Sequence, residues 1–327
     1  MTGLSDSFQR PIDYLRISVT DRCNLRCIYC MPPEGVCLMP HEDIIRYEEI
    51  YAVVEAASEL GINKVRITGG EPLVRAGLTE LIRMLSRIDT IDDISMTTNG
   101  ILLARYAAEL KQAGLRRVNI SLDSLRRDKF NSITRGGELD DVLKGIDAAR
   151  SEGLNPVKIN MVVISSINDD ELLDFAEKTI DEGWNVRFIE HMPFGFKEAV
   201  DSHFVSVAGM RQRLESLGGL ETCSVSAGNG PAKYFRLPNA KGTIGFITPV
   251  SEHFCFLCNR LRLTADGKLR PCLLSEDEID LKQQLRSGTS SADLKKLIEA
   301  VVAGKPSGHR MAEGYVPKGR PFSQVGG

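Results

Sequence analysis

The run Lys64-Val65-Arg66-Ile67-Thr68-Gly69-Gly70-Glu71-Pro72 alternates polar and apolar side chains over five residues and then breaks at a glycine pair. Alternation with period two marks a β-strand. A helical pattern follows at Leu78–Arg87, so the run reads as the strand of a βα unit. The same unit recurs on both sides. The pattern predicts strands at Tyr14–Val19, Ile94–Thr98, Arg117–Ser121, Val157–Val163 and Val186–Glu190. Helical patterns intervene at Asp43–Leu60, Leu102–Ala113, Leu139–Glu152 and Glu171–Glu182, and Gly61, Gly114, Gly153 and Gly183 sit just past four of the helices, as C′ glycines do. Six such strands imply a parallel sheet, either doubly wound or curled into a barrel. A complete eight-stranded barrel would need two further units, which the sequence does not show.

From about Phe196 the rhythm breaks. A helix is expected near Val205–Leu217, short strands at Lys233–Leu237, Thr243–Ile247, Leu261–Thr264 and Lys268–Arg270, and a helix at Ala292–Val302. Asp266-Gly267 lies between the last two strands and reads as a hairpin turn. The remainder, Gly304–Gly327, is polar and rich in Gly and Pro. Two domains are expected, 1–195 and 196–327.

Composition narrows the function classes. The chain has 327 residues, 42% hydrophobic and 26% charged, and a formal net charge of −3. That is ordinary globular composition, and it argues against a globally basic nucleic-acid binder. No apolar run approaches the ~18 residues of a membrane span, and Met1–Arg10 lacks a signal-peptide pattern. The expectation is a cytoplasmic protein with no nucleic-acid or membrane partner.

Eight cysteines are unusual in that setting. Six form two triplets, Cys23-x3-Cys27-x2-Cys30 and Cys255-x2-Cys258-x13-Cys272; Cys37 and Cys223 fall outside them. In a reducing compartment such sets point to metal or catalysis rather than disulfides. Structural zinc wants a fourth ligand, for which His253 lies near the second triplet and His41 near the first. An iron–sulfur cluster is the other reading. Three thiolates on four irons leave one iron open to a substrate.

The strands themselves carry polar side chains where buried parallel strands are normally apolar. Arg16 and Ser18, Lys64, Arg66 and Thr68, Ser95 and Thr97, Asn119 and Ser121, and Lys158 and Asn160 each share a strand face. In a curled sheet that face lines a lumen. Buried charge needs a counter-charge, so a cationic lumen suggests an anionic ligand such as a polyphosphate. The loops after these strands hold the first triplet, the Gly-Gly-Glu-Pro turn, Asn99-Gly100, Asp123 and His191-Met192-Pro193. All lie at the strands' C-terminal ends, where α/β sites are built.

Cys23-Asn24-Leu25-Arg26-Cys27-Ile28-Tyr29-Cys30 resembles the signature of the radical S-adenosylmethionine superfamily, and Gly69-Gly70-Glu71-Pro72 its methionine-binding turn. Further segments are similar to the GTP 3′,8-cyclase family, the molybdenum cofactor biosynthesis A type. These are Thr20-Asp21-Arg22, Met31-Pro32, Val186-Arg187-Phe188-Ile189-Glu190, Cys255-x2-Cys258-Asn259-Arg260-Leu261-Arg262 and the final Gly326-Gly327. The resemblance runs from about Tyr14 to the C-terminus.

The resemblance implies an α/β fold: an incomplete (βα)6 TIM-type barrel with a C-terminal α+β extension that carries a second cluster. Cys23, Cys27 and Cys30 would hold one [4Fe–4S] cluster, whose open iron takes S-adenosylmethionine, and Cys255, Cys258 and Cys272 a second, which takes the purine of GTP. Tyr29, Gly70, Ser121 and Met192 would contact S-adenosylmethionine. Arg16, Arg66, Thr97, Lys158, Arg187, Arg260, Leu261 and Arg262 would contact GTP. The Gly326-Gly327 tail would reach the active site. An electron from an external donor would release a 5′-deoxyadenosyl radical. That radical removes the ribose 3′ hydrogen, and the ribose then closes onto guanine C8. The product would pass to the next enzyme of molybdenum cofactor synthesis, and a homodimer is left open. Three rival readings are a peptide-modifying enzyme of the same superfamily, a non-catalytic iron–sulfur carrier and a zinc-stabilised nucleotide-binding module.

Overall fold

The structure, a computed structural model, describes residues 3–192, 204–224, 230–311, 315 and 320–326. Strands and helices alternate through its first part: β1 (Tyr14–Ser18), α1 (Tyr47–Glu59), β2 (Lys64–Thr68), α2 (Leu78–Leu85), β3 (Asp93–Thr98), α3 (Leu103–Ala113), β4 (Arg117–Ser121), α4 (Arg127–Thr134), α5 (Leu139–Ser151), β5 (Lys158–Val163), α6 (Leu172–Asp181) and β6 (Asn185–Glu190). There follow α7 (Val207–Leu214), β7 (Glu221–Thr222), β8 (Lys233–Arg236), β9 (Thr243–Ile247), β10 (Arg260–Leu263), β11 (Lys268–Arg270), β12 (Ile279–Asp280), α8 (Leu281–Arg286), α9 (Ser291–Ala303) and α10 (Phe322–Val325).

All six expected βα strands are present, with ends displaced by one residue at most. Gly61, Gly114, Gly153 and Gly183 all take positive φ at helix ends. The helix expected from Asp43 begins only at Tyr47. The Arg46 backbone N–H donates to the Glu49 carboxylate at 2.8 Å and closes the helix there; His41–Asp43 forms a separate single turn. Helix α4 is an addition the sequence pattern did not reveal.

The strand order is β12-β11-β10-β1-β2-β3-β4-β5-β6-β9-β8-β7. From β10 through β9 every neighbouring pair is parallel. Two C-terminal strands thus extend the six on either side, which the sequence did not foretell. The ring stays open because β9 pairs next with β8 and β10 with β11, both antiparallel, so hairpins occupy the two edges. The hairpin through Asp266-Gly267 is the β10–β11 turn, with Gly267 N–H donating to Thr264 O at 2.9 Å. The outer face of the sheet is apolar: Ile17, Ile67, Met96, Ile120, Ile159, Phe188, Ile244 and Leu261 are buried in one core. This is the partial (βα)6 barrel with a C-terminal extension. Among the described residues, no helix is long and apolar enough to cross a membrane.

Candidate functional site

The inner face and the C-terminal strand ends open onto one cavity. It is lined by all six triplet cysteines and by Arg16, Tyr29, Arg66, Gly70, Thr97, Ser121, Arg187, Met192, Arg260 and Arg262. Residues about 250 apart in sequence meet there because β10 lies beside β1.

The first triplet leaves the end of β1 and is held in shape by the backbone around it. Arg26 N–H and Ile28 N–H donate to the carbonyls of Thr134 and Ile133 on α4, both at 3.0 Å, and Arg135 Nη1 donates to Met31 O at 2.8 Å. The Gly-Gly-Glu-Pro turn braces the other side. Gly70 N–H donates to Thr20 O at 2.7 Å and Glu71 N–H to Arg22 O at 2.8 Å. A Cβ on Gly70 would stand 2.3 Å from the Arg22 carbonyl oxygen, so only glycine permits this approach. Burial drives Glu71 up to about 7, opposed by donors from Asn99, Thr98 and Leu73. Asn99 bridges to the triplet, with its Nδ2 2.8 Å from Asn24 Oδ1.

Burial pushes the Cys23 thiol up to about 11 and Cys30 to about 12, and Cys27 well above the usual range. Three desolvated thiolates on one wall need positive charge, and iron supplies it. Among the described residues, no three His, Cys, Asp or Glu side chains are grouped to hold a single ion. His41 instead stands 3.4 Å from Arg22, and His253 is exposed and packs edge-on against His309. The donor sets therefore fit an object wider than one ion that takes three thiolates, as an iron–sulfur cluster does, better than a zinc tetrahedron closed by either histidine.

The second triplet differs electrostatically. Burial raises the Cys258 thiol, but Arg260 and Lys305 outweigh it and bring it down to about 6. Cys255 and Cys258 are joined by a tight turn, Cys258 N–H to Cys255 O at 3.1 Å, and Cys272 follows β11. Cys37 is exposed and Cys223 half-buried; neither lines the cavity.

Below the cysteines the lumen is cationic. Strand register places Arg262, Arg16 and Arg66 side by side on β10, β1 and β2. Burial lowers the pKa of Arg16 and Arg66, and brings Arg187 and Arg262 down to about 10. Arg66 Nε, Arg187 Nε and Nη2, Asn119 Nδ2 and the Tyr14 hydroxyl are buried without a hydrogen-bond partner among the described residues. Buried donors aimed at nothing are costly; a bound polyanion would satisfy them together. Tyr29 donates to Asp123 at 2.7 Å, which orients its ring at the cavity mouth.

Three expected GTP or tail residues do not themselves line the cavity. Lys158 shares the inner face of β5 with Asn160 and stands opposite Asn119 of β4, but it is buried and does not itself line the cavity; its ammonium is 5.3 Å from the Tyr234 ring, and burial with Arg187 pushes it down to about 7. Leu261 points to the opposite, apolar face of β10, leaving only its backbone to meet a ligand. Gly326 lies against Thr68 and Ser18, and its carbonyl accepts from Arg262 Nη1. Gly327 lies outside the described residues. Sequence reasoning missed Tyr14 and the α4 contacts; the alternation that flagged Arg16 already placed Tyr14 on the same face.

The tail is anchored by Arg320, which donates to Asp266 at 3.0 and 2.9 Å and to Glu278 at two distances of 2.9 Å. Burial raises both carboxylates, but the bonds from Arg320 hold them below their ordinary values. Depressed carboxylates contribute stability above the unfolded pKa of about 4 and lose it as pH falls through the folded values. Arg320→Ala is therefore expected to weaken tail docking at neutral pH by about 1–3 kcal/mol. Limited proteolysis near the C-terminus should speed up in the variant, and in the parent only in acid.

Two family models match the chain: Radical SAM superfamily over residues 17–179 and Molybdenum Cofactor Synthesis C over residues 184–311. Membership of the first implies an iron–sulfur cluster and S-adenosylmethionine. Curated relatives include GTP 3′,8-cyclase of Pelotomaculum thermopropionicum, 52% identical over 326 residues, and that of Moorella thermoacetica, 50% identical over 324; each alignment covers 99% of this chain and 100% of the relative. Among solved structures, Streptococcus suis SuiB superposes with TM-score 0.61 at 14% identity, covering 88% of this chain and 68% of SuiB. anSMEcpe with bound AdoMet gives TM-score 0.51 at 19% identity, covering 63% of this chain and 57% of that one. At those identities the likeness concerns the fold alone. Length, both family models and full-length identity near one half agree, and the chain belongs to the GTP 3′,8-cyclase family of radical S-adenosylmethionine enzymes.

Proposed function

We propose that this chain converts GTP to (8S)-3′,8-cyclo-7,8-dihydroguanosine 5′-triphosphate, an early step of molybdenum cofactor biosynthesis. The observation that carries the reading is a single cavity faced by two cysteine triplets and by Arg16, Arg66, Arg187, Arg260 and Arg262. When bound, a cluster on Cys23, Cys27 and Cys30 together with S-adenosylmethionine supplies radical chemistry; the protein's part is position and exclusion of water. Tyr29, Gly70, Ser121 and Met192 border the first triplet's side of the cavity and would hold S-adenosylmethionine. A second [4Fe–4S] cluster on Cys255, Cys258 and Cys272 would hold the purine.

The triphosphate would occupy the cationic lumen. Arginine suits it because a planar fork gives two parallel donors. The phosphate charge would also favour the ammonium form of Lys158, which burial and its cationic neighbours hold near 7. Thr97 adds a hydroxyl to the lining. The docked tail closes the lumen from the C-terminal side, with Val325 and Ser323 buried. On this reading residues 1–195 form the radical-generating barrel and 196–327 the part that adds the second cluster and the tail, with the division inside 193–203, outside the described residues. An external donor supplies the electron, the product passes to the next enzyme of the pathway, and the setting is cytoplasmic.

An anaerobic assay with reductant, S-adenosylmethionine and GTP tests the reading. 5′-Deoxyadenosine should form well above the level without GTP; equal amounts with both clusters loaded would sink it. The double variant Arg260→Ala, Arg262→Ala should weaken GTP binding by about two to four orders of magnitude, two charge-assisted contacts at about 1.5–3 kcal/mol each, with S-adenosylmethionine binding unchanged.

A further inference from the structure

Of two buried cations behind the second triplet, Arg10 has no part in the chemistry described so far and Lys305 only that of lowering the Cys258 thiol. Lys305 is 3% exposed and donates to the carbonyls of Arg260 at 2.8 Å and Pro271 at 2.5 Å. Arg10 is 5% exposed; its Nη1 donates to Cys255 O at 2.7 Å and Ser307 O at 3.0 Å, and its Nη2 to Pro306 O at 2.7 Å. Between them they grip the backbone at Cys255, at Arg260 just after Cys258, and at Pro271 just before Cys272. Both come from outside the triplet, one from the N-terminal segment and one from the turn after α9. Arg10 also fixes that turn, since Pro306 and Ser307 directly follow Lys305.

The two cations differ in how their charge is met. Arg10 is paired with buried Asp6, Nε to Oδ2 at 2.6 Å. Lys305 has no carboxylate partner among the described residues; its acceptors are neutral carbonyls. A buried ammonium without a counter-ion is costly enough to neutralise itself or to demand an anion. Burial lowers the pKa of Lys305, and the anions at hand that oppose this are the thiolates of Cys258 and Cys272, next to the carbonyls it holds. A [4Fe–4S] cluster on three thiolates concentrates negative charge at the same place, and more of it after reduction.

We propose that Lys305 is the fixed counter-charge of the iron–sulfur cluster on Cys255, Cys258 and Cys272, and that Arg10 is the positioning residue that holds Lys305 and the Cys255 end of the loop in place. The inference rests on the second-cluster reading given above. A positive charge beside a cluster favours the state that carries the extra electron, so Lys305 raises the cluster's reduction potential and slows its loss.

The test uses the full-length chain with Cys23, Cys27 and Cys30 all changed to Ser, so that only the second triplet can carry iron. In that parent, Lys305→Gln keeps a hydrogen-bond donor and removes the charge, and Lys305→Arg keeps the charge. Iron and sulfide per chain, the midpoint potential from a titration followed by electron paramagnetic resonance, and the rate of iron loss to a chelator are measured for each. Lys305→Gln is expected to have a more negative potential and to lose iron about tenfold faster; Lys305→Arg should restore both. Circular dichroism of the iron-free chains checks folding, and if the Gln variant does not fold, Lys305→Met carries the same comparison. A parent that binds no iron overturns the second-cluster reading and this inference with it. A parent that binds iron, matched by a neutral variant in potential and chelation rate, overturns only the role of Lys305.

Discussion

Changing Cys27 to serine is expected to lower 5′-deoxyadenosine formation by more than about three orders of magnitude, because the radical chemistry belongs to the cofactor and no side chain replaces it. Cys27 is the middle cysteine of the first triplet, and burial raises its thiol well above the usual range. It also sits where the loop is anchored to α4, between the bonds from Arg26 and Ile28. If the second triplet carries a four-iron cluster as proposed, iron per chain should fall by roughly half, while the spectrum of that proposed cluster on Cys255, Cys258 and Cys272 persists. Serine nearly matches cysteine in size, so the fold should survive, and the melting temperature of the iron-free chain checks this. Unchanged iron, or turnover within tenfold of the parent, would overturn the assignment.

Gly326→Ala is expected to expel the tail. Gly326 has φ +69°, and a Cβ there would stand 2.4 Å from Thr68 Cγ2 and 3.6 Å from Ser18 Cβ. The left-handed conformation costs an alanine about 1–2 kcal/mol, and overpacking against a strand side chain adds about 1–3 kcal/mol. Together these correspond to a loss of tail docking of roughly 30- to 1,000-fold or more at 1.4 kcal/mol per factor of ten. The bond from Arg262 to the Gly326 carbonyl goes with it. Turnover of GTP should fall with docking while iron content and S-adenosylmethionine binding stay constant. Thr68→Ser removes the clashing methyl, so the double variant should recover part of the loss; the backbone strain remains. No recovery would show that crowding against Thr68 is not the cause.

Much of the cavity was legible because it is built on strands. Period two puts Arg16, Arg66, Thr97, Asn119 and Asn160 on one face of their strands wherever the neighbours lie, and polar residues in buried strands mark a lumen. The short cysteine spacings were legible for a similar reason: a ligand set within eight residues forms locally. Helix α4 was not. Its eight residues offer only Phe130 and Ile133 as buried large apolar side chains, too little periodicity to register, and its contribution is backbone carbonyls given to the triplet loop. Strands β9 and β10 were visible as strands, but their place was not. Pairing of Tyr14 with Arg260, and of Asn185 with Thr243, spans long stretches of chain, and no local pattern encodes the partner. The same holds for Arg10 and Lys305, single cations in polar surroundings that acquire meaning only from the carbonyls they reach.

Local periodicity and spacing were thus enough for the βα units, the polar strand faces, the two triplets and, through resemblance, the family. Each depends on residues a few positions apart, whose geometry the backbone sets. Long-range pairing settled the rest: eight parallel strands rather than six, both triplets on one cavity, Lys158 beside Tyr234 of β8, and Gly326 seated against Thr68. Those outcomes depend on which surfaces bury one another, and that is decided when distant segments compete for the same sheet edges and the same buried volume.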